Sequence, residues 1–319
     1  MIQPTKISTL IVILMVFLSF GIKSNTVDDY GAYHHKVIEA ETFIATEAYD
    51  KALMLYEQLF ADYEFVFLRE CQVAAQLAYF NGQSKLAILY VRRGIRSGWE
   101  LKSLKKNRLL SELLKDDLWK SLEREYPELR RQYESNLNQD LRKEVKSMFS
   151  KDQKKALKAL FRFGSKAQVK YAENKFAPHS EEQMAMLSAI LETHGYPGER
   201  LIGNNVWMSV ILSHHNSIST RYNNRDTIYP ELRPKIVQAI RDGQITPYEF
   251  ATIDDWYRST KYERKRASYG ILDPPIDSLL WQTNTLRESI FARPYALRNS
   301  LVKIEEKTGM DFYMSDRWY

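Results

Sequence analysis

Two short segments near the front of the chain match at a spacing of 35 residues. Tyr49-Asp50-Lys51-Ala52-Leu53 recurs as Ser84-Lys85-Leu86-Ala87-Ile88, and Tyr56 is answered by Val91. Small residues stand where two helices would touch, and bulky ones flank them. Such a period belongs to helical hairpins stacked on one another, each burying its apolar face on the next. Stacks of this kind mostly bind other proteins, so the feature favours a gripping surface over a catalytic one.

The flanking residues fit four helices between 31 and 99. Val37, Ala40, Phe43 and Ile44 keep one apolar face, and Ala52, Leu53, Tyr56, Leu59 and Phe60 the next. Val73, Ala74, Leu77 and Ala78 lead into the turn signal Asn81-Gly82-Gln83. Ala87, Ile88, Tyr90 and Val91 follow, with Gly94 and Gly98 read as helix ends. On these residues the front of the chain resembles tetratricopeptide repeats, although neither first helix carries the tryptophan-leucine-glycine element. The resemblance implies a concave protein-binding face on the inner helices. It would be lined by Tyr33, His34, Glu41, Glu70 and Gln76. Leu101 to Arg131 reads as a degenerate continuation that caps the stack, with its last short helix stopping before Tyr126-Pro127.

The first residues read as a targeting signal. Lys6 is followed by an uncharged stretch from Ile7 to Ile22, with an unbroken apolar run from Leu10 to Leu18. That run is short of the roughly 20 residues of a bilayer span and fits a secretory signal. Small residues at Ser19 and Gly21 place cleavage after Gly21, within a signal assigned to residues 1–24. An uncleaved anchor is the second reading, and in either case this segment contacts the membrane. The chain is thus expected to be exported, to the periplasm or cell envelope. Its only cysteine, Cys71, leaves no internal disulfide to form. Within an apolar helical pattern it reads as a small buried residue.

The net charge of +6 is uneven: Lys102 to Lys175 holds 20 basic and 11 acidic residues, a local +9. A stripe like this attracts nucleic acid, acidic lipid or an acidic polymer. Export argues against nucleic acid and leaves an acidic envelope polymer as a candidate partner. Leu137, Leu141, Val145 and Met148 form only a thin apolar stripe, so residues 132–175 read as solvated helices between two domains, 25–131 and 176–319.

The last section should be a compact helical domain. Helices are expected at Glu181–His194, Val206–His215 and around Leu232–Ile240. Thr246-Pro247-Tyr248-Glu249 carries a helix start, and Pro294 opens a final helix ending near Gly309. A short strand pairing is placed near Ile271 or Leu279–Trp281. Gly195-Tyr196-Pro197-Gly198, Ile202-Gly203, Ser213-His214-His215-Asn216, Ala251-Thr252-Ile253-Asp254-Asp255 and Tyr269-Gly270 follow in an order that resembles a bacterial domain of unknown function, family 6624. His215, Asp255 and Tyr269 match that family's histidine, aspartate and tyrosine. Ser217, Trp256 and Ile271 depart from its other motif positions. The resemblance implies an all-helical domain. It also puts forward His215 as a base, Asp255 as its orienter and Tyr269 as a donor to developing negative charge.

Adjacent helix positions point about 100° apart, so His214 and His215 do not make a two-histidine metal site. Walker, dinucleotide-fingerprint and serine-elbow patterns are absent, and no cofactor is implied. The sequence therefore predicts an all-α exported protein that acts as a protein-binding scaffold or adaptor of the cell envelope, with a hydrolase centred on His215 as the alternative.

Overall fold

The computed structural model describes residues 29–115 and 117–316. The expected signal lies outside the described residues. Among the described residues the chain is all-α, with no strand.

Four antiparallel helices open it: α1 (Tyr30–Ala45), α2 (Tyr49–Asp62), α3 (Leu68–Phe80) and α4 (Ser84–Arg96). They form two hairpins, α1 against α2 and α3 against α4, and α2 meets α3 between them. The repeated alanines explain the fit: Ala52 and Ala87 are fully buried, each letting its partner helix come close. Gly94, read as a stop, lies inside α4; a Cβ there would come within 2.8 Å of the Trp99 ring. It is a contact point, and α4 ends two residues later, at Arg96.

A short α5 (Leu101–Leu104) and a 3-10 turn (Leu110–Lys115) lead into α6 (Asp117–Ser135), which packs on α4. The expected stop at Pro127 does not occur. Pro127 and Glu123 are both exposed, so water can serve the carbonyl that the missing N–H leaves free.

α7 (Gln139–Leu160) opens under an Asn138 cap, whose side chain accepts from the Leu141 N–H. Its first half is not a solvated bridge. Leu141, Val145 and Met148 are buried in the second core, against α11. Three residues at helical spacing suffice because the partner helix supplies the rest of the apolar surface. α8 (Ser165–Tyr171) passes through a π turn (Ala172–Phe176) into α9 (Ala177–Thr193). Next come α10 (Glu199–Ile202), α11 (Trp207–Asn216), α12 (Thr220–Asn223) and α13 (Ile228–Arg241). α14 (Pro247–Lys261) starts where the motif placed it, with the Thr246 hydroxyl accepting from the Glu249 N–H at 3.1 Å. The expected strand pairing is replaced by helix: Asp277–Leu279 is a 3-10 turn running into α15 (Leu280–Ser289). The Ile271 N–H goes to Asp255, not to a neighbouring strand.

α16 (Tyr295–Thr308) ends at Gly309 in the left-handed conformation. It leaves the C-terminal section and packs on α1. Leu301, Ile304, Met310 and Phe312 belong to the front core, so the last 20 or so described residues complete the packing of the front helices.

Candidate functional site

His215 sits on α11 and is fully buried. Its Nδ1 lies 3.0 Å from Ser180 Oγ, and its Nε2 lies 3.4 Å from Asp226 Oδ2. Burial works to raise the Asp226 carboxyl, but His215 and the Ile228 and Tyr229 N–H groups outweigh it and hold the group below its usual range. Asp255 is occupied elsewhere. Its two oxygens accept from the N–H groups of Tyr269 and Ile271 at 2.6 and 2.7 Å, pinning the 269–271 loop to α14. Burial pushes the Asp255 carboxyl up to about 6. The Tyr269 hydroxyl accepts from Arg233, which also forms a two-bond clamp on Asp254. Asp255 and Tyr269 are therefore joined to each other through the Tyr269 N–H, while His215 is bonded to other partners. The structure gives His215 a serine and a different aspartate, and all three groups are shut inside the core.

The residues assigned to the concave face are also inside. Tyr33, His34, Glu41, Glu70 and Gln76 are all buried. The chain's own C-terminal segment fills the face they were to present. Gln76 makes a two-way pair with the backbone of Asp311: its Nε2 donates to the carbonyl, and its Oε1 accepts from the N–H, both at 2.8 Å. Arg69 donates to the Phe312 carbonyl at 2.9 Å and to Glu41 at 2.6 Å. Glu41 also receives Arg293 at 2.8 Å, so one carboxylate on α1 holds two guanidinium groups, one of them from the segment before α16. His34 lies between Phe67 and Phe291, with ring centroids 6.0 and 6.2 Å away. The segment packed against this face is the chain's own.

Two cavities lie against the front helices. One, of about 610 Å³, is a groove along α2, α4 and the end of α6. Phe60, Phe65, Leu86 and Leu89 supply its apolar surface, and Arg93, Arg96 and Arg200 stand along it together with Glu57, Glu64 and Glu199. The other, of about 630 Å³, is a cleft between α3 of the front unit and α11 and α14 behind. On its wall is His214, whose Nδ1 is 2.6 Å from the fully buried Asp152 of α7. An ionised aspartate can only accept there, so the imidazole donates through Nδ1 and turns its other nitrogen away from Asp152. Glu249 faces the same cleft; burial pushes its carboxyl up to about 7, against the hydrogen bond from the Tyr196 hydroxyl. Glu199 lies between the two cavities and accepts the Leu68 N–H, capping α3 from the opposite unit. A histidine and a carboxyl raised toward neutrality on one cleft are the kinds of group that exchange protons with a bound molecule. Among the described residues no group of three metal-binding side chains is close enough to hold an ion.

The 214–215 pair parts ways: one imidazole goes to Asp152 and the cleft, the other to the core. Asp152, Ser180 and Asp226 gave no signal in the sequence, because each meets its histidine only through tertiary packing. The cysteine is buried, and burial pushes its thiol up to about 12, which leaves it inert. Compared with protein-family models, with curated proteins and with solved structures, the chain matches none.

Proposed function

We propose that this protein is a tetratricopeptide-like scaffold of the bacterial cell envelope that holds a segment of a partner protein in the outer groove of α2, α4 and α6. One observation carries the reading: with the inner face filled by the chain's own tail, this groove is the apolar surface of the repeats that stays open. The side chains there suit a short peptide with aliphatic or aromatic residues and an acidic flank. The apolar residues would enter beside Phe60, Phe65 and Leu89, and the acidic flank would meet Arg96 and Arg200. Gln76 against Asp311 illustrates how such helices hold an extended backbone.

The test is fluorescence anisotropy with labelled decapeptides that alternate Leu or Phe with Asp or Glu. Leu89 is half exposed, so Leu89→Glu leaves the fold intact while putting a charge into the groove. Loss of binding in that variant supports the reading; equal binding by both proteins overturns it. Export is tested separately, by cell fractionation of the full chain.

A hydrolase is the second reading, favoured by the Asp152–His214 pair on the interior cleft. It moves the base one residue from the position the sequence suggested. Turnover of a fluorogenic ester or amide panel that His214→Ala abolishes would support it, and turnover unchanged in that variant would remove it.

A further inference from the structure

The turn between α7 and α8 is unlike the rest of the surface. Phe163 is 98% exposed and Phe161 is 73% exposed, with Leu157 and Val169 also open. Soluble proteins rarely leave such a cluster uncovered without a binding role. Around it, residues 153–172 contain six cations, Lys154, Lys155, Lys158, Arg162, Lys166 and Lys170, and no Asp or Glu. None of the six makes an ion pair with a described residue. Elsewhere on this basic stretch carboxylates neutralise their neighbours, as in Lys105–Glu123, Lys120–Asp117 and Lys143–Asp140. The tip therefore differs from the rest of the stripe in two independent ways, uncompensated charge and bare aromatic surface.

The tip is also held in shape. Gly164 turns the chain at a φ of +87° and starts α8. The Tyr171 hydroxyl reaches back to the Lys155 carbonyl at 3.1 Å, and the Arg162 guanidinium lies over the Tyr171 ring at 5.3 Å. Behind it Tyr171, Phe176 and Ile218 form a small separate core that carries the hairpin clear of the two larger ones.

We propose that this hairpin tip docks on an anionic lipid surface, with Phe161 and Phe163 entering the headgroup–acyl boundary and the six cations meeting lipid phosphates. An aqueous polyanion would use the lysines and leave both phenylalanine rings in water. A neutral apolar partner would use the rings and leave six like charges to be buried. A negatively charged bilayer satisfies both at once. This inference does not depend on the peptide groove, which lies on other helices.

The full chain should be co-sedimented with vesicles of phosphatidylcholine alone and with about one-third phosphatidylglycerol. Binding is expected to the anionic vesicles only, weakening steeply at about 0.5 M NaCl. Phe161→Ser and Phe163→Ser, both at exposed positions, should each weaken it at least about tenfold. Failure to bind the anionic vesicles overturns the proposal. So does binding that both serine variants leave unchanged, or equal binding to soluble polyphosphate that is also insensitive to them, since those outcomes describe charge without insertion.

Discussion

Single carboxyl groups settle much of this molecule's behaviour. Glu41 is fully buried and balances Arg69 and Arg293. Its removal would strand the buried Arg293 guanidinium and leave Arg69 only Glu70 as a carboxylate partner, so Glu41→Ala should cost about 3–5 kcal/mol, read from urea unfolding. Glu249 makes a pH-dependent contribution. Burial raises its carboxyl from the ordinary 4.5 to about 7, so the folded state keeps a proton that the unfolded chain has released. The resulting stability is complete below about 4.5 and is lost as pH rises through 7, a change on the order of 2–3 kcal/mol. Glu249→Gln should flatten the slope of Tm against pH across that window. An unchanged slope would contradict this account of the cleft.

Helix ends and helix contacts are set at the next scale. Thr246 supplies an acceptor for one of the first free N–H groups of α14, the helix that carries Asp254, Asp255 and the cleft residue Glu249. Thr246→Ala should lower stability by about 1 kcal/mol, measured by thermal or urea unfolding. α3 has no cap of its own and borrows Glu199 from α10, so its start depends on a residue 131 positions away. Proline signals were unequal for the same kind of reason. Pro247 begins a helix because its missing N–H is a terminal one, while Pro127 sits inside α6 at an exposed position where water replaces the lost bond.

Over the whole molecule, the front and back units are tied by the tail and by His34. Phe312 is buried in the front core, so Phe312→Ala should cost about 3–5 kcal/mol and raise hydrogen exchange in α1 and α3 together. Burial lowers the His34 imidazole from its ordinary 6.5 to about 3. The folded state therefore holds it neutral, and its contribution is complete above about 6.5 and is lost as pH falls toward 3. Protection factors at the α1–α13 contact, corrected for the intrinsic exchange rate at each pH, should fall between pH 6.5 and 4. His34→Gln should remove that fall. Glu249 acts in the opposite sense over part of the same range, so each variant is compared with the parent at every pH.

Sequence alone was enough for the all-α class and most of the helices, because their signals are local. Ala52 and Ala87 recur at one period, Thr246-Pro247 marks a start, and Gly309 marks an end. Side chains of these types constrain the backbone within a turn or two, whatever the rest of the chain does. Only the tertiary structure decided what those helices touch. It put the tail into the face where Gln76 was expected to meet a partner, paired His215 with Asp226 in place of Asp255, and turned His214 toward the cleft through Asp152. Contacts of that kind join residues far apart in the chain, and no periodicity in the sequence records which distant side chain will arrive.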